Sequence, residues 1–262
     1  MLGFFVFGDT GGMAFSPPDP EITWLRPGDP FPPTTQAWGG HTSAPGLLAA
    51  GGTLDTATLH QAYSQGIFPW FSKGQPPLWW STDPRMVLRV QDFKLSASLR
   101  KLIRGLLRQR RLEVRMDHAF SDVIRACARV PRTGQHGTWI LSDMVQAYQQ
   151  FHAAGHVHSV ETWLDGQLAG GLYAVNIGRM VYGESMFSHV SNASKIALCA
   201  LVAFCSAHHM PLIDCQQETA HLASLGAKPM SRSTFEQAMG DLTPLISPTW
   251  RFHPNLWTAM LA

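Results

Sequence analysis

The run Ala193-Ser-Lys-Ile-Ala-Leu-Cys-Ala-Leu-Val-Ala-Phe-Cys-Ser-Ala-His208 constrains the fold more than any other stretch of the chain. A helix that is apolar on nearly every face has to be covered on nearly every face, so it belongs inside a layered domain. It is bracketed by two strand-like segments, Met180–Gly183 and Leu212–Cys215. Glu184 follows the first, and the second ends in Asp214-Cys215-Gln216. A carboxylate and an Asp-x-Gln at strand ends fall where open α/β sheets build their sites.

The rest of the chain sorts around this unit. From Met1 to about Gly52 it is rich in Pro and Gly, as in Ser16-Pro-Pro-Asp-Pro and Pro27-Gly-Asp-Pro-Phe-Pro-Pro, which reads as short strands, turns and loops. The segment Thr53–Gln65 reads as a capped helix ended by Gly66. After Pro84 the pattern becomes regular: a strand at Arg85–Arg89, a helix at Ser96–Arg111, a strand at Glu113–Met116 and helices at Ala119–Ala128 and Ser142–Ala154. A hairpin of Ser159–Leu164 and Leu168–Asn176 turns at Asp165-Gly166, and a terminal helix is expected at Thr234–Met239. The expected class is α+β, or mixed α/β: a small N-terminal domain over residues 1–84 and a larger domain over 85–262 with a mixed sheet flanked by helices. Met13 begins a second candidate start, so residues 1–12 read as a disordered extension.

At 262 residues with 45% hydrophobic residues the chain can bury a sizeable core, and a formal net charge of +2 provides no global field toward nucleic acid. Leu2–Phe7 lacks the basic flank and cleavage site of a leader, and Leu198–Cys205 is too short to span a bilayer, so a cytoplasmic protein without export is expected. The four cysteines, Cys127, Cys199, Cys205 and Cys215, form no C-x-x-C pair and read as reduced thiols. His156-x-His158, and Cys205 with His208 and His209, lack a second matched ligand pair and are assigned structural roles, with no metal.

A local basic patch exists nonetheless. Arg100, Arg104 and Arg108 recur every four residues and share one helix face; with Lys94, Lys101, Arg110, Arg111 and Arg115 they make eight basic residues against the single acid Glu113. Like charges at this spacing repel, so the row is either a solvated face or a seat for an external polyanion such as RNA. Phe68, Trp70, Phe71, Trp79, Trp80 and Trp139 lie in stretches read as loops. Most of them are expected to plug the junction between domains, with Trp70 and Trp139 kept as base-stacking candidates.

Eight motifs, in order, carry a family resemblance: Tyr63-Ser-Gln-Gly-Ile-Phe-Pro-Trp-Phe, Trp79-Trp-Ser-Thr-Asp-Pro-Arg, Gly137-Thr-Trp-Ile, His156-Val-His-Ser-Val-Glu, Gly170-Gly-Leu-Tyr, Gly183-Glu-Ser-Met-Phe-Ser, Asn192-Ala-Ser-Lys and Ile213-Asp-Cys-Gln. From about Gly46 to about Leu225 the chain resembles the leucyl/phenylalanyl-tRNA–protein transferases. The resemblance implies a cytoplasmic enzyme that moves Leu, Phe or, less efficiently, Met from aminoacyl-tRNA to proteins beginning with Arg or Lys, marking them for N-end rule degradation. It implies an acetyltransferase-like (GNAT-like) catalytic domain and no cofactor. A monomer is expected, with no DNA and no membrane among its partners. Tyr63 and Tyr148, with Trp70 and Trp139, join the substrate-binding set.

The residues are consistent with that chemistry. An aminoacyl ester is already activated, and the chain has no phosphate-cradling G-x-x-x-x-G-K-[ST] loop. The junction Ser188-His-Val-Ser-Asn-Ala-Ser-Lys before the central helix has no glycine, which weakens a CoA-dependent acetyltransferase reading; a non-catalytic tRNA-binding protein is the other alternative. The attacking α-amine has a pKa near ~8, so only modest base help is needed. In an alternating strand Asp214 and Gln216 share a face and Cys215 points away. Gln216 is assigned to orienting the amine and Asp214 to polarising it or accepting its proton; alternatively the protein only positions the reactants and the tRNA ribose carries the proton. Glu184 is assigned to the cationic acceptor. Leu172, Val181, Met186 and Phe187 are candidate walls of an apolar donor pocket, one that disfavours side chains thick at Cβ such as Ile and Val. Cys215 beside His221 would be the nucleophile of a cysteine hydrolase, the weaker enzyme reading.

Overall fold

A computed structural model describes residues 18–130 and 140–262. In chain order the elements are β1 (Thr23–Leu25), β2 (Leu47–Gly51), α1 (Thr56–Ser64), β3 (Phe68–Pro69), β4 (Leu78–Trp80), β5 (Arg85–Arg89), α2 (Ala97–Arg108), β6 (Leu112–Met116), α3 (Phe120–Arg129) and α4 (Ser142–Ala153). Then follow β7 (Val157–Leu164), β8 (Gln167–Ile177), β9 (Met180–Ser188), α5 (Ala193–Ala207), β10 (Leu212–Gln216), α6 (Ala220–Ser224), β11 (Lys228–Met230), α7 (Arg232–Leu242) and α8 (Leu256–Leu261). None of the described helices is long and apolar enough to cross a membrane.

Two sheets result. A four-stranded sheet has the order β1-β2-β4-β3, and a seven-stranded mixed sheet has the order β11-β5-β10-β9-β8-β7-β6. Within the large sheet only β9 and β10 run parallel; every other pairing is antiparallel. The chain passes from the first sheet to the second between Trp80 and Arg85. Local chemistry sets many of the boundaries. The Asp55 carboxylate caps α1 by accepting from the Thr58 N–H at 2.8 Å, and Gly66, at φ +72°, takes the chain out of it. Asp165-Gly166, both at positive φ, closes the β7–β8 hairpin as the dipeptide predicts.

Helices cover both faces of the large sheet. α1, α3 and α4 pack on one face, and α5 lies along β7, β8 and β9 on the other, itself backed by α8. Gly170 allows the close approach of α5. A Cβ at that position would stand 2.6 Å from the Ala193 Cβ, so the first turn of the helix rests on bare backbone. The apolar run is buried over almost its whole length, as its composition requires.

Several expectations are revised. The aromatics read as loop residues are in part strand residues: Phe68 sits in β3, and Trp79 and Trp80 in β4, all buried. One apolar core joins this small sheet and α1 to α3, α4, β8 and β9, so the plugging role holds for Phe68, Phe71, Trp79 and Trp80. The helix expected to run to Arg111 stops at Arg108, and Arg110, at φ 56°, turns the chain into β6. The strand expected to end at Gly183 runs on to Ser188, which places Glu184 inside β9. Beyond Met230 the sequence pattern showed one helix. The structure adds α8, whose Trp257 and Leu261 are buried against α5, and Trp250 enters the same core.

Candidate active site

The parallel contact between β9 and β10 is brief. Ile213 aligns with Val181 and Asp214 with Tyr182, and beyond that pair the two strands part. β9 continues beside β8, and β10 shifts register against β5 between Asp214 and Gln216. The parting opens a cavity of about 310 Å³ over β9, β10 and α5. Its apolar lining includes Leu88, Leu172, Met186, Leu198, Leu201, Ile213, Leu222 and Leu225, and its polar lining Glu184, Gln216, Gln217, Thr219 and His221, with Phe68 and Trp70 entering from the small sheet. Leu, Ile and Met walls with a few convergent polar groups are the usual composition of a small-ligand site.

Glu184 is where the polar groups converge. One carboxylate oxygen accepts from the Tyr63 hydroxyl at 2.8 Å and from the Gln216 amide at 3.3 Å; the other accepts from the Tyr148 hydroxyl at 3.3 Å. The two hydroxyls also touch one another. Burial raises the Glu184 carboxyl to about 8; the hydrogen bond from Tyr63 opposes the rise and the charge of Asp214 adds to it. Burial likewise pushes Tyr63 and Tyr148 well above the usual phenol range, so both act as neutral donors. Tyr182 braces the group from below, donating its hydroxyl to the Tyr63 carbonyl at 2.7 Å.

Asp214 is placed differently from the expectation. It is wholly buried, with both oxygens in a fork with Arg85 at 2.8 and 2.7 Å, and it is not part of the cavity lining. A carboxylate so enclosed cannot take a proton directly from a group in the cavity. Alternation also fails at this point. Gln216 is at φ 54°, and because of the register shift Cys215 and Gln216 both line the cavity while Asp214 does not. The Cys215 thiol is raised to about 12 chiefly by burial, which leaves it protonated and a poor nucleophile even with His221 on the same cavity wall.

Of the proposed donor-pocket residues, Leu172 and Met186 line the cavity. Val181 and Phe187 do not; both are buried in core, Val181 under α5 and Phe187 on the opposite face of the sheet. Leu198 and Leu201 of α5 and Leu222 and Leu225 around α6 were missed. The α5 residues were hidden because a helix apolar on every face does not show which side meets a cavity. Tyr63 and Tyr148 are buried beneath Glu184 and meet the cavity only through it. Trp70 lines the mouth and tilts against Trp80 at 5.5 Å; Trp139 lies outside the described residues.

The basic row divides. Arg100 and Arg104 donate to the main-chain oxygens of Leu261 and Ala262 at the end of α8, and Arg111 pairs with Asp165 at 2.7 Å. An internal acceptor therefore compensates part of the row that looked uncompensated in sequence. Lys101, Arg108 and Arg110 are exposed, with no ion-pair partner among the described residues. The histidines are engaged in packing: His156 sits edge-on to His60, and His158 binds Asp117 at 2.7 Å while stacking on Trp250.

A family model described as leucyl/phenylalanyl-tRNA protein transferase matches residues 87–240, and a model of that family's N-terminal domain matches residues 52–83. A leucyl/phenylalanyl-tRNA–protein transferase of a Polaromonas species is 57% identical over 240 residues, covering 92% of this chain and 94% of the relative. Proteins of that name from Albidiferax ferrireducens and Leptothrix cholodnii are 54% and 56% identical over 242 and 244 residues; the matches cover 92% and 91% of this chain and 95% of each relative. Aligned over nearly its full length with these proteins, the chain belongs to the leucyl/phenylalanyl-tRNA protein transferase family.

Proposed function

We propose that this chain transfers Leu, Phe and, less efficiently, Met from aminoacyl-tRNA to the α-amine of proteins beginning with Arg or Lys, in the cytoplasm, and so marks them for N-end rule degradation. The observation that carries this reading is the apolar cavity whose polar wall is Glu184 hydrogen-bonded to Gln216. The donor side chain enters between Leu172, Met186, Leu198 and Leu201, leaving its ester carbonyl at the polar wall. Gln216 orients the incoming amine. As the amine nitrogen bonds to the carbonyl carbon, the bond from that carbon to the ribose oxygen breaks, and the amine's proton passes by way of Glu184 to the departing oxygen.

A carboxyl near 8 suits that traffic, because its affinity for a proton matches that of an α-amine near ~8. An arriving cation favours the ionised form of Glu184, so substrate binding itself readies the base. Asp214 takes no proton in this scheme; it holds Gln216. The exposed cations Lys101, Arg108 and Arg110, with Trp70 at the cavity mouth, would meet the tRNA.

The test is labelled transfer to a peptide beginning with Arg. Leu-tRNA should serve as donor, Ile-tRNA should serve poorly, and acetyl-CoA should not serve. Transfer from acetyl-CoA would establish an acetyltransferase, and tRNA binding without transfer would establish a binding protein.

A further inference from the structure

Arg85 and Asp214 form a buried ion pair, 1% and 0% exposed, on adjacent strands of the large sheet. The guanidinium lies between two rings, 4.7 Å from the centre of Phe68 and 4.8 Å from that of Phe235. Its Nη1 is buried and has no hydrogen-bond partner among the described residues. A buried pair with an orphaned donor is a poor device for stability alone, since desolvation consumes most of what the attraction returns and apolar residues of similar volume commonly do as well.

The geometry shows what else the pair holds. Nε and Nη2 of Arg85 fix both oxygens of Asp214, and Oδ1 also accepts the Gln216 backbone N–H at 2.9 Å. The Gln216 carbonyl accepts from the Thr82 hydroxyl at 3.2 Å. Gln216 is thus clamped at both its N–H and its C=O, in a left-handed conformation that a glutamine rarely adopts. That conformation turns its amide toward Glu184.

We propose that Arg85 is a positioning residue for amide-bond formation: by forking Asp214 it locks the strained backbone of Gln216, and so aims the Gln216 amide at Glu184 and the cavity. The inference rests on the aminoacyl-transfer reading of the site. Phe68 extends it, because the ring that covers the guanidinium on one side also lines the cavity.

The test is a double-mutant cycle in the full chain, with kcat and KM measured for Leu-tRNA and a peptide beginning with Arg. Arg85→Lys keeps the charge but cannot span both oxygens. It should lower kcat by about 10–100-fold with KM for Leu-tRNA unchanged, the scale of a small misplacement at a reacting centre. In a Gln216→Ala background the same change should cost almost nothing further, because its effect passes through Gln216. Losses that multiply, or a change confined to KM, would overturn the inference while leaving the site intact. A Gln216→Ala variant with full turnover would overturn the reading of the site, and this inference with it. If Arg85→Lys does not fold, Thr82→Val carries the test: it should give a smaller loss of kcat that also disappears in Gln216→Ala, and a loss that persists there counts against the proposal.

Discussion

Two hydrogen-bonded carboxylates on one sheet invite comparison. Glu161 on β7 accepts from the Ala119 N–H at 2.7 Å, the Ser159 hydroxyl at 2.8 Å and the Trp163 indole at 2.9 Å. Glu184 on β9 likewise has three neutral donors: Tyr63, Tyr148 and Gln216. The donors' origins differ. Two of those for Glu161 lie two residues away on its own strand, so the strand partly satisfies its own carboxylate. The donors for Glu184 come from α1, α4 and β10, at sequence separations of 121, 36 and 32. Glu161 is closed on every side, whereas Glu184 has the cavity on one side. Local donors make a carboxylate part of the architecture. Donors gathered from afar beside an opening make it part of a site.

Exchanging the two roles by mutation should have the largest effect. Glu184→Gln should lower transfer by about 10²–10⁴-fold, the usual contribution of an acid–base group, in a protein that still folds. Glu161→Ala should do the reverse: it strands the buried Ser159 hydroxyl, at a cost of about 1–3 kcal/mol, and two part-buried donors besides, so the melting temperature drops while turnover per folded molecule is kept. Equal losses of turnover in both variants would erase the distinction.

A smaller effect appears in the pH dependence of stability. The folded-state Glu184 carboxyl is raised from 4.5 to about 8. Between those values the unfolded chain releases a proton that the folded chain keeps, so the stability tied to this group is full below about 4.5, declines as pH rises toward 8 and is flat above it. Glu184→Gln lacks this decline. Its melting temperature relative to the parent should therefore be higher at pH 8.5 than at pH 5; the same difference at both pH values would refute a raised carboxyl.

The smallest effect extends the contrast between inward- and outward-facing groups to α2. Arg108→Ala should leave stability unchanged and reduce the log–log salt slope of tRNA binding by roughly 0.7–0.9. Arg104→Ala should release the end of α8 at about 1 kcal/mol. An unchanged salt slope for Arg108→Ala would return that face to solvent.

Local chemistry was legible in the sequence, and contacts between distant residues were not. Element types between Arg85 and Cys215 followed from periodicity and turn chemistry, because Asp165-Gly166 and the all-apolar α5 each admit few structures. Glu184 and Gln216 were found as polar residues at the ends of apolar segments. Arg85 was missed as a partner, since nothing near it in sequence announces Asp214, 129 residues away. The misplacement of Asp214 and Cys215 has one cause: strict alternation does not survive a register shift, and a shift leaves no mark when the residue at positive φ is a glutamine rather than a glycine. Val181 and Phe187 were apolar neighbours of the motif, and sequence cannot separate a cavity wall from a core.

The apolar core shared by the small sheet and the large one has a consequence for the cell as much as for the fold. Tyr63 and Phe68 belong to the first layer, and Tyr148, Glu184 and Gln216 to the second, so no site exists until the two have closed on each other. Without the first layer, Glu184 lacks the Tyr63 hydroxyl and Arg85 lacks the Phe68 ring. For a protein that handles an ester prone to hydrolysis, the carboxylate at the site is fully dressed with donors only where both layers are in place.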